Sequence, residues 1–257
     1  MRVLNKAFGN PLKSEEQAIA PFAGGIMQHG FQCGMLWGSA LACGAQAYHL
    51  HGSGPEAKTR TVAATQRLIE TFRNQNDHIN CVDITHLDKS SSTKDMVMKF
   101  LIKGQTISCL RMAGKYGPSA FDEIKAVLAD ETMEVQSDPV SCATLLAEKI
   151  GASEEHALMV AGFAGGIGLS GGACGALGAA IWIKGMRLQE EHEIKNLWGD
   201  KDYTSMFDAL MDRFLKLTEY EFECSNITGR KFKDTGDHAE FVCQGGCSKL
   251  IEELARG

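Results

Sequence analysis

Apolar side chains recur at helical spacing along most of the chain. Phe207, Leu210, Met211, Phe214 and Leu217 fall three or four residues apart, which predicts an amphipathic helix ending close to Cys224. Val62, Leu68, Ile69 and Phe72 repeat that pattern ahead of Cys81. Two stretches, 17–55 and 157–183, contain no Asp, Glu, Lys or Arg and read as pairs of buried helices, each pair joined by a glycine turn. Asp138-Pro139 predicts the start of a helix through Cys142 to Ile150, with Gly151 as its stop. Ser153 and two glutamates open the next helix, expected to end at Gly165-Gly166. A third begins near Ala173 and runs through Trp182 into the charged stretch 186–194, and a last one covers 247–255. No stretch alternates at period two, so the expected fold class is all-α, a helical bundle.

The chain repeats itself. Shifted by 141 residues, Phe22, Ala23, Gly24, Gly25, Ile26, Gly30, Cys33, Gly34 and Leu36 coincide with Phe163, Ala164, Gly165, Gly166, Ile167, Gly171, Cys174, Gly175 and Leu177. Further along, Cys81 and Ile84-Thr85 correspond to Cys224 and Ile227-Thr228. The bundle is therefore expected to consist of two pseudo-symmetric tandem repeats, 1–132 and 133–257, each copy serving as a comparison for the other.

Composition narrows the function. Of 257 residues, 44% are apolar and 23% charged, which excludes wholesale disorder. A net charge of −6 without a basic run argues against nucleic-acid or anionic-membrane partners. Both charge-free stretches are long enough to span a bilayer. Their Ala/Gly composition suits buried helices better, because each interior glycine costs a helix roughly 1 kcal/mol. The first residues lack the features of a secretory signal, so a cytoplasmic location with reduced thiols is expected.

Nine cysteines then become the leading chemistry, and an odd number cannot pair completely. Free cysteine often serves as a small buried hydrophobe. That role predicts free exchange with alanine or valine between copies, whereas the shared positions keep cysteine. Cys33 and Cys174 each follow a glycine turn at a helix start, where unpaired amides and the helix dipole favour a thiolate. Cys142, Cys174, Cys224 and Cys247 come from four elements of the second repeat, the number that holds a Cys₄ metal or iron–sulfur centre. Cys243 is a rival for the fourth position, or a pairing partner for Cys247. The first repeat offers Cys33, Cys81 and Cys109; the counterpart of Cys142 would fall at position 1, which is not cysteine. Its site is vestigial, or is completed by another ligand such as His29, by the other copy or by another chain. Cys43 lies ten residues, about 15 Å of helix, beyond Cys33 and is expected in the core. Tyr48-His49-Leu50-His51-Gly52 is expected to be a surface turn.

The run Cys174-Gly175-Ala176-Leu177 and its partner Cys33-Gly34-Met35-Leu36-Trp37-Gly38 resemble the signature of the redox-active protein family named for its C…GCAxxG…C…C pattern. The order of the other cysteines fits as well, and the resemblance covers nearly the whole chain twice. Each signature departs by one residue, Met35 in place of alanine and Ala179 in place of glycine. The resemblance implies a helical redox protein, distantly related to split-Soret cytochromes that carry haem and an iron centre. No C-x-x-C-H occurs, so covalent haem attachment does not carry over. No P-loop, G-x-S-x-G or dinucleotide fingerprint is present.

The expectation is a cytoplasmic redox or electron-transfer protein with an iron–sulfur cluster on Cys142, Cys174, Cys224 and Cys247. It would serve a redox partner protein, and close-packing Gly- and Ala-faced helices are compatible with a homodimer. Two alternatives stay open. One is a thiol–disulfide oxidoreductase with Cys174 as nucleophile and Cys247 or Cys142 resolving. The other is a non-redox binder of zinc or Cu(I).

Overall fold

Helix after helix follows from the spacing above, in the same order in each half. The computed structural model describes residues 1–136, 140–192, 205 and 207–256. The first half runs α1 (Arg2–Ala7), α2 (Lys13–Gln17), a 3₁₀ turn (Ala20–Phe22), α3 (Gly34–His51), α4 (Pro55–Asn76), α5 (Cys81–Thr85), α6 (Thr93–Val97) with a π-helical turn (Met98–Ile102), and α7 (Gln105–Leu128). The second runs α8 (Cys142–Lys149), α9 (Glu154–Met159), a 3₁₀ turn (Ala161–Phe163), α10 (Gly175–His192), α11 (Asp208–Leu217), α12 (Cys224–Thr228), α13 (Thr235–Cys243) and α14 (Ser248–Ala255). No strand occurs among the described residues; only two isolated bridges do, Gln32 with Asn80 and Ala173 with Glu223. The fold is all-α, and the two bridges fall at matching places in the two halves.

Helix α3, which has no Asp, Glu, Lys or Arg, and the uncharged first half of α10 lie at the centre. Small residues let neighbouring backbones come close. A side chain at Gly44 would stand 2.5 Å from the Cα of Met159, and one at Gly178 would overlap the Trp37 ring. The main buried apolar cluster runs through both halves and includes Leu41, Leu68, Trp37, Phe163, Ile181 and Phe214, with a smaller one around Val62, Leu169, Cys224 and Phe232. Where the halves meet, the Gln32 side chain is 1% exposed and its Oε1 accepts a 3.0 Å hydrogen bond from the Ala173 amide. Gln32→Ala strands that buried amide, and the expected loss is about 1–3 kcal/mol in urea denaturation. A loss of only a few tenths would show that the contact between halves is not selective for this bond.

Several local expectations change. Asp138 and Pro139 lie outside the described residues, as do 193–194 of the charged stretch. The start of α8 is set by Ser141, whose side chain caps the Thr144 amide at 3.1 Å while Thr144 Oγ1 accepts from the Ser141 amide at 3.2 Å. α9 stops at Met159 and tightens into the 3₁₀ turn before Gly165-Gly166, because the chain must then reverse through left-handed residues 165–169. α11 ends at Leu217, and Glu219 and Tyr220 take positive φ before Cys224. The Tyr48–His51 segment lies at the surface as expected, with His49 and Leu50 exposed, but as the last turn of α3. His51 is engaged there by the Leu128 carbonyl at 3.1 Å and by Glu56 at 3.5 Å. Among the described residues no helix is long and apolar enough to cross a membrane.

Candidate functional site

One two-residue bridge in each half brings distant cysteines together. In the second half the Cys174 amide donates to the Phe222 carbonyl at 2.7 Å, and the Cys224 amide donates to the Gly172 carbonyl at 2.6 Å. In the first half Cys33 donates to Ile79 at 2.8 Å and Cys81 to Phe31 at 2.7 Å. Each pair of bonds seats one cysteine directly ahead of a long helix, α3 or α10, and the other at the first residue of a short one, α5 or α12. Cys81 and Cys224 thus open helices; they do not trail the amphipathic ones. The sequence hid this because a bridge of one residue pair has no periodicity to read.

In the second half α8 and α14 add Cys142 and Cys247. Cys142, Cys174 and Cys224 are buried, Cys247 is half-buried, and all nine thiols of the chain are free. Backbone amides of Gly165, Ala143, Cys142 and Ala176 reach the Cys142 sulfur, and those of Leu177 and Ala176 reach the Cys174 sulfur. These amides favour a thiolate, as expected at helix starts. Burial outweighs them. Cys174 is pushed up to about 12, first by desolvation and then by the neighbouring charge of Cys142. Cys224 is raised by burial and then by charge on Cys142, Cys174 and Cys247; Cys247 is raised by burial and by Cys142 and Cys174. Charge on Cys142 is therefore felt at Cys174, Cys224 and Cys247, and charge on Cys174 at Cys224 and Cys247. The expectation that the helix start lowers the pKa of Cys33 and Cys174 does not hold, since Cys33 is also raised to about 12, chiefly by burial.

The first half gathers three thiols. Cys81 and Cys109 both act on Cys33, and Cys109 acts on Cys81. All three border an open cleft of about 430 Å³ that reaches Met35, Phe100 and Asp88. Cys109 is the fifth residue of α7. His29 is not among the cleft's lining residues; its ring packs on Phe222 of the second half, centroids 4.6 Å apart. Cys43 is fully buried in the core, its Sγ 4.0 Å from the Thr61 carbonyl. Cys243 is exposed at the end of α13. Among the described residues, no group of three or more His, Cys, Asp or Glu is arranged to hold a metal ion.

The raised thiols predict a pH dependence for the ion-free protein. A cysteine with its folded pKa above the unfolded value near 9 contributes stability below pH 9 and loses it as pH climbs through the folded value. With Cys33 and Cys174 at about 12, stability is expected to fall steadily between about pH 9 and 12. Denaturation midpoints measured at intervals across that range check this, and a flat profile counts against burial of protonated thiols.

The family model described as "Putative redox-active protein (C_GCAxxG_C_C)" matches residues 1–116 and again residues 140–256. No curated protein and no solved structure matches the chain.

Proposed function

The chain belongs to the C_GCAxxG_C_C family of redox-active proteins, carrying the family unit twice, and from that premise we propose that its second unit is an electron-transfer centre. Cys142, Cys174, Cys224 and Cys247 would hold an iron–sulfur cluster there. The observation that supports this most is electrostatic. Four thiols from four elements share one largely buried neighbourhood; burial raises all four, and charge on Cys142 adds to this at Cys174, Cys224 and Cys247. Cationic iron supplies the charge that such a set lacks and holds its sulfurs as thiolates. The amides aimed at Cys142 and Cys174 are the donors that tune the potential of a sulfur-ligated centre. When bound, the cluster supplies one-electron chemistry; the chain excludes water and directs amide dipoles at the sulfurs. A cytoplasmic setting and a redox partner protein follow from this reading.

Anaerobic reconstitution of the full chain with iron and sulfide tests it. The expected product is brown, with iron and sulfide in matching amounts. Cys142→Ser and Cys224→Ser should each lose most of the iron, while Cys43→Ser, in the core, should keep it. A colourless, iron-free product overturns the reading, and so does zinc bound in place of iron.

A further inference from the structure

The two units differ in what surrounds their thiols. Those of the second unit are largely sealed, whereas those of the first border a cleft. We propose that this cleft is a substrate site for small, neutral, largely apolar disulfides, with Cys109 as the attacking thiol and Cys81 as the resolving one. This goes beyond the cluster reading and does not depend on it.

Size, lining and sulfur placement point the same way. At about 430 Å³ the cleft falls within the range of small-molecule sites, roughly 300–1,000 Å³. Met35, Leu87, Met96 and Phe100 make its walls apolar, and Asp88 is its one charged lining side chain. Hydrogen bonds from Ser90 and Ser91 hold the Asp88 carboxyl below the usual carboxylate range, so it stays anionic at neutral pH. A carboxylate at an apolar cleft repels anionic substrates and admits neutral ones. The three sulfurs line one open cleft, which leaves room for a small molecule beside them.

The roles follow from access. Cys109 is half-buried, and its Sγ accepts a 3.7 Å hydrogen bond from Gln105 Nε2, a donor suited to a sulfur gaining charge. Cys81, also half-buried, lies near enough for charge on Cys109 to act on it. Cys33, half-buried as well, is fixed ahead of α3 by its amide bond to the Ile79 carbonyl and is assigned no role in the exchange.

In the first step the deprotonated Cys109 sulfur attacks one sulfur of the substrate disulfide. The substrate S–S bond breaks, and the leaving thiolate takes up the proton that Cys109 released. Cys81 then attacks Cys109 in the mixed disulfide. The second substrate thiol departs with the Cys81 proton, and a Cys81–Cys109 disulfide remains. Two protein thiols are oxidised and one substrate disulfide is reduced to two thiols, with no other reactant.

The test treats the fully reduced chain with 2-hydroxyethyl disulfide, or with anionic glutathione disulfide, followed by acid quench and peptide mass mapping. Cys81–Cys109 should form first, roughly tenfold faster with the neutral oxidant. Cys81→Ser should stop at a mixed disulfide on Cys109, and Cys109→Ser should give no disulfide in this unit. Asp88→Asn provides a readout that does not depend on losing a cysteine: it should narrow the rate gap between the oxidants. Modification starting at the exposed Cys243 while Cys81 and Cys109 stay reduced would overturn the proposal, as would equal rates for both oxidants. Iron content measured separately on reconstituted chain keeps the two readings apart. Iron uptake without this exchange removes the cleft proposal alone, and exchange without iron uptake removes the cluster alone.

Discussion

Gly166→Ala is expected to cost the protein about 4 kcal/mol or more and to dismantle the second cysteine neighbourhood. Two penalties combine. The backbone at Gly166 has φ +81°, a left-handed conformation that a side chain strains by about 1 kcal/mol. A Cβ there would also overlap the Gly172 carbonyl oxygen and stand 2.6 Å from the Gly172 nitrogen. That carbonyl cannot move aside freely, because it accepts the 2.6 Å bond that seats Cys224. Gly229→Ala isolates the first penalty: its φ is +72° and a methyl group there would meet nothing within 4 Å, so about 1 kcal/mol is expected. Denaturant midpoints of the two variants decide the matter. If Gly166→Ala costs no more than Gly229→Ala, the close approach of the two backbones is not what holds this turn. Gly25, with φ +75° and the Phe31 backbone in the corresponding place, should behave like Gly166 and damage the first unit.

Trp37→Ala is expected to cost about 3–5 kcal/mol and to lower the unfolding midpoint of both halves together. The ring is fully buried, lies parallel to Phe22 at 4.8 Å and meets the edge of Phe163 at 4.7 Å. Phe163 belongs to the second half, so the indole fills space that the two copies share. Its Nε1 donates to the Gln32 carbonyl at 3.2 Å, and Gln32 in turn binds the Ala173 amide. Removing the ring therefore opens a cavity and loosens the segment that joins the halves. Trp37→Phe keeps most of the volume and should cost clearly less. Thermal and urea unfolding followed by circular dichroism read the effect. A second half that melts at its original midpoint after Trp37→Ala would refute a shared core.

Much of this was legible in the residues. The tandem copy, the helix order and the core position of Cys43 all show in spacing, because a helix buries one face at a regular interval and duplication preserves that interval. The correspondence of Cys33 and Cys81 with Cys174 and Cys224 was legible for the same reason. What escaped was short or three-dimensional. The bridges that pair Cys33 with Cys81 and Cys174 with Cys224 are single residue pairs, too brief for any pattern. The ends of α9 and α11 were misplaced because left-handed residues such as Ile167 and Tyr220 reverse the chain without a distinctive composition.

The sequence alone determined that this protein is a helical duplication that keeps its cysteines at matching places, since periodicity and repetition are written residue by residue. Only the tertiary structure decided how each thiol behaves. Local context placed Cys174 at a helix start, where amides and the dipole favour a thiolate. Packing around it removed the water that a charged sulfur needs and raised it to about 12 instead. Packing likewise sealed the second unit and left the first with a cleft. Desolvation depends on every chain segment that covers an atom, and no local run of residues contains that information.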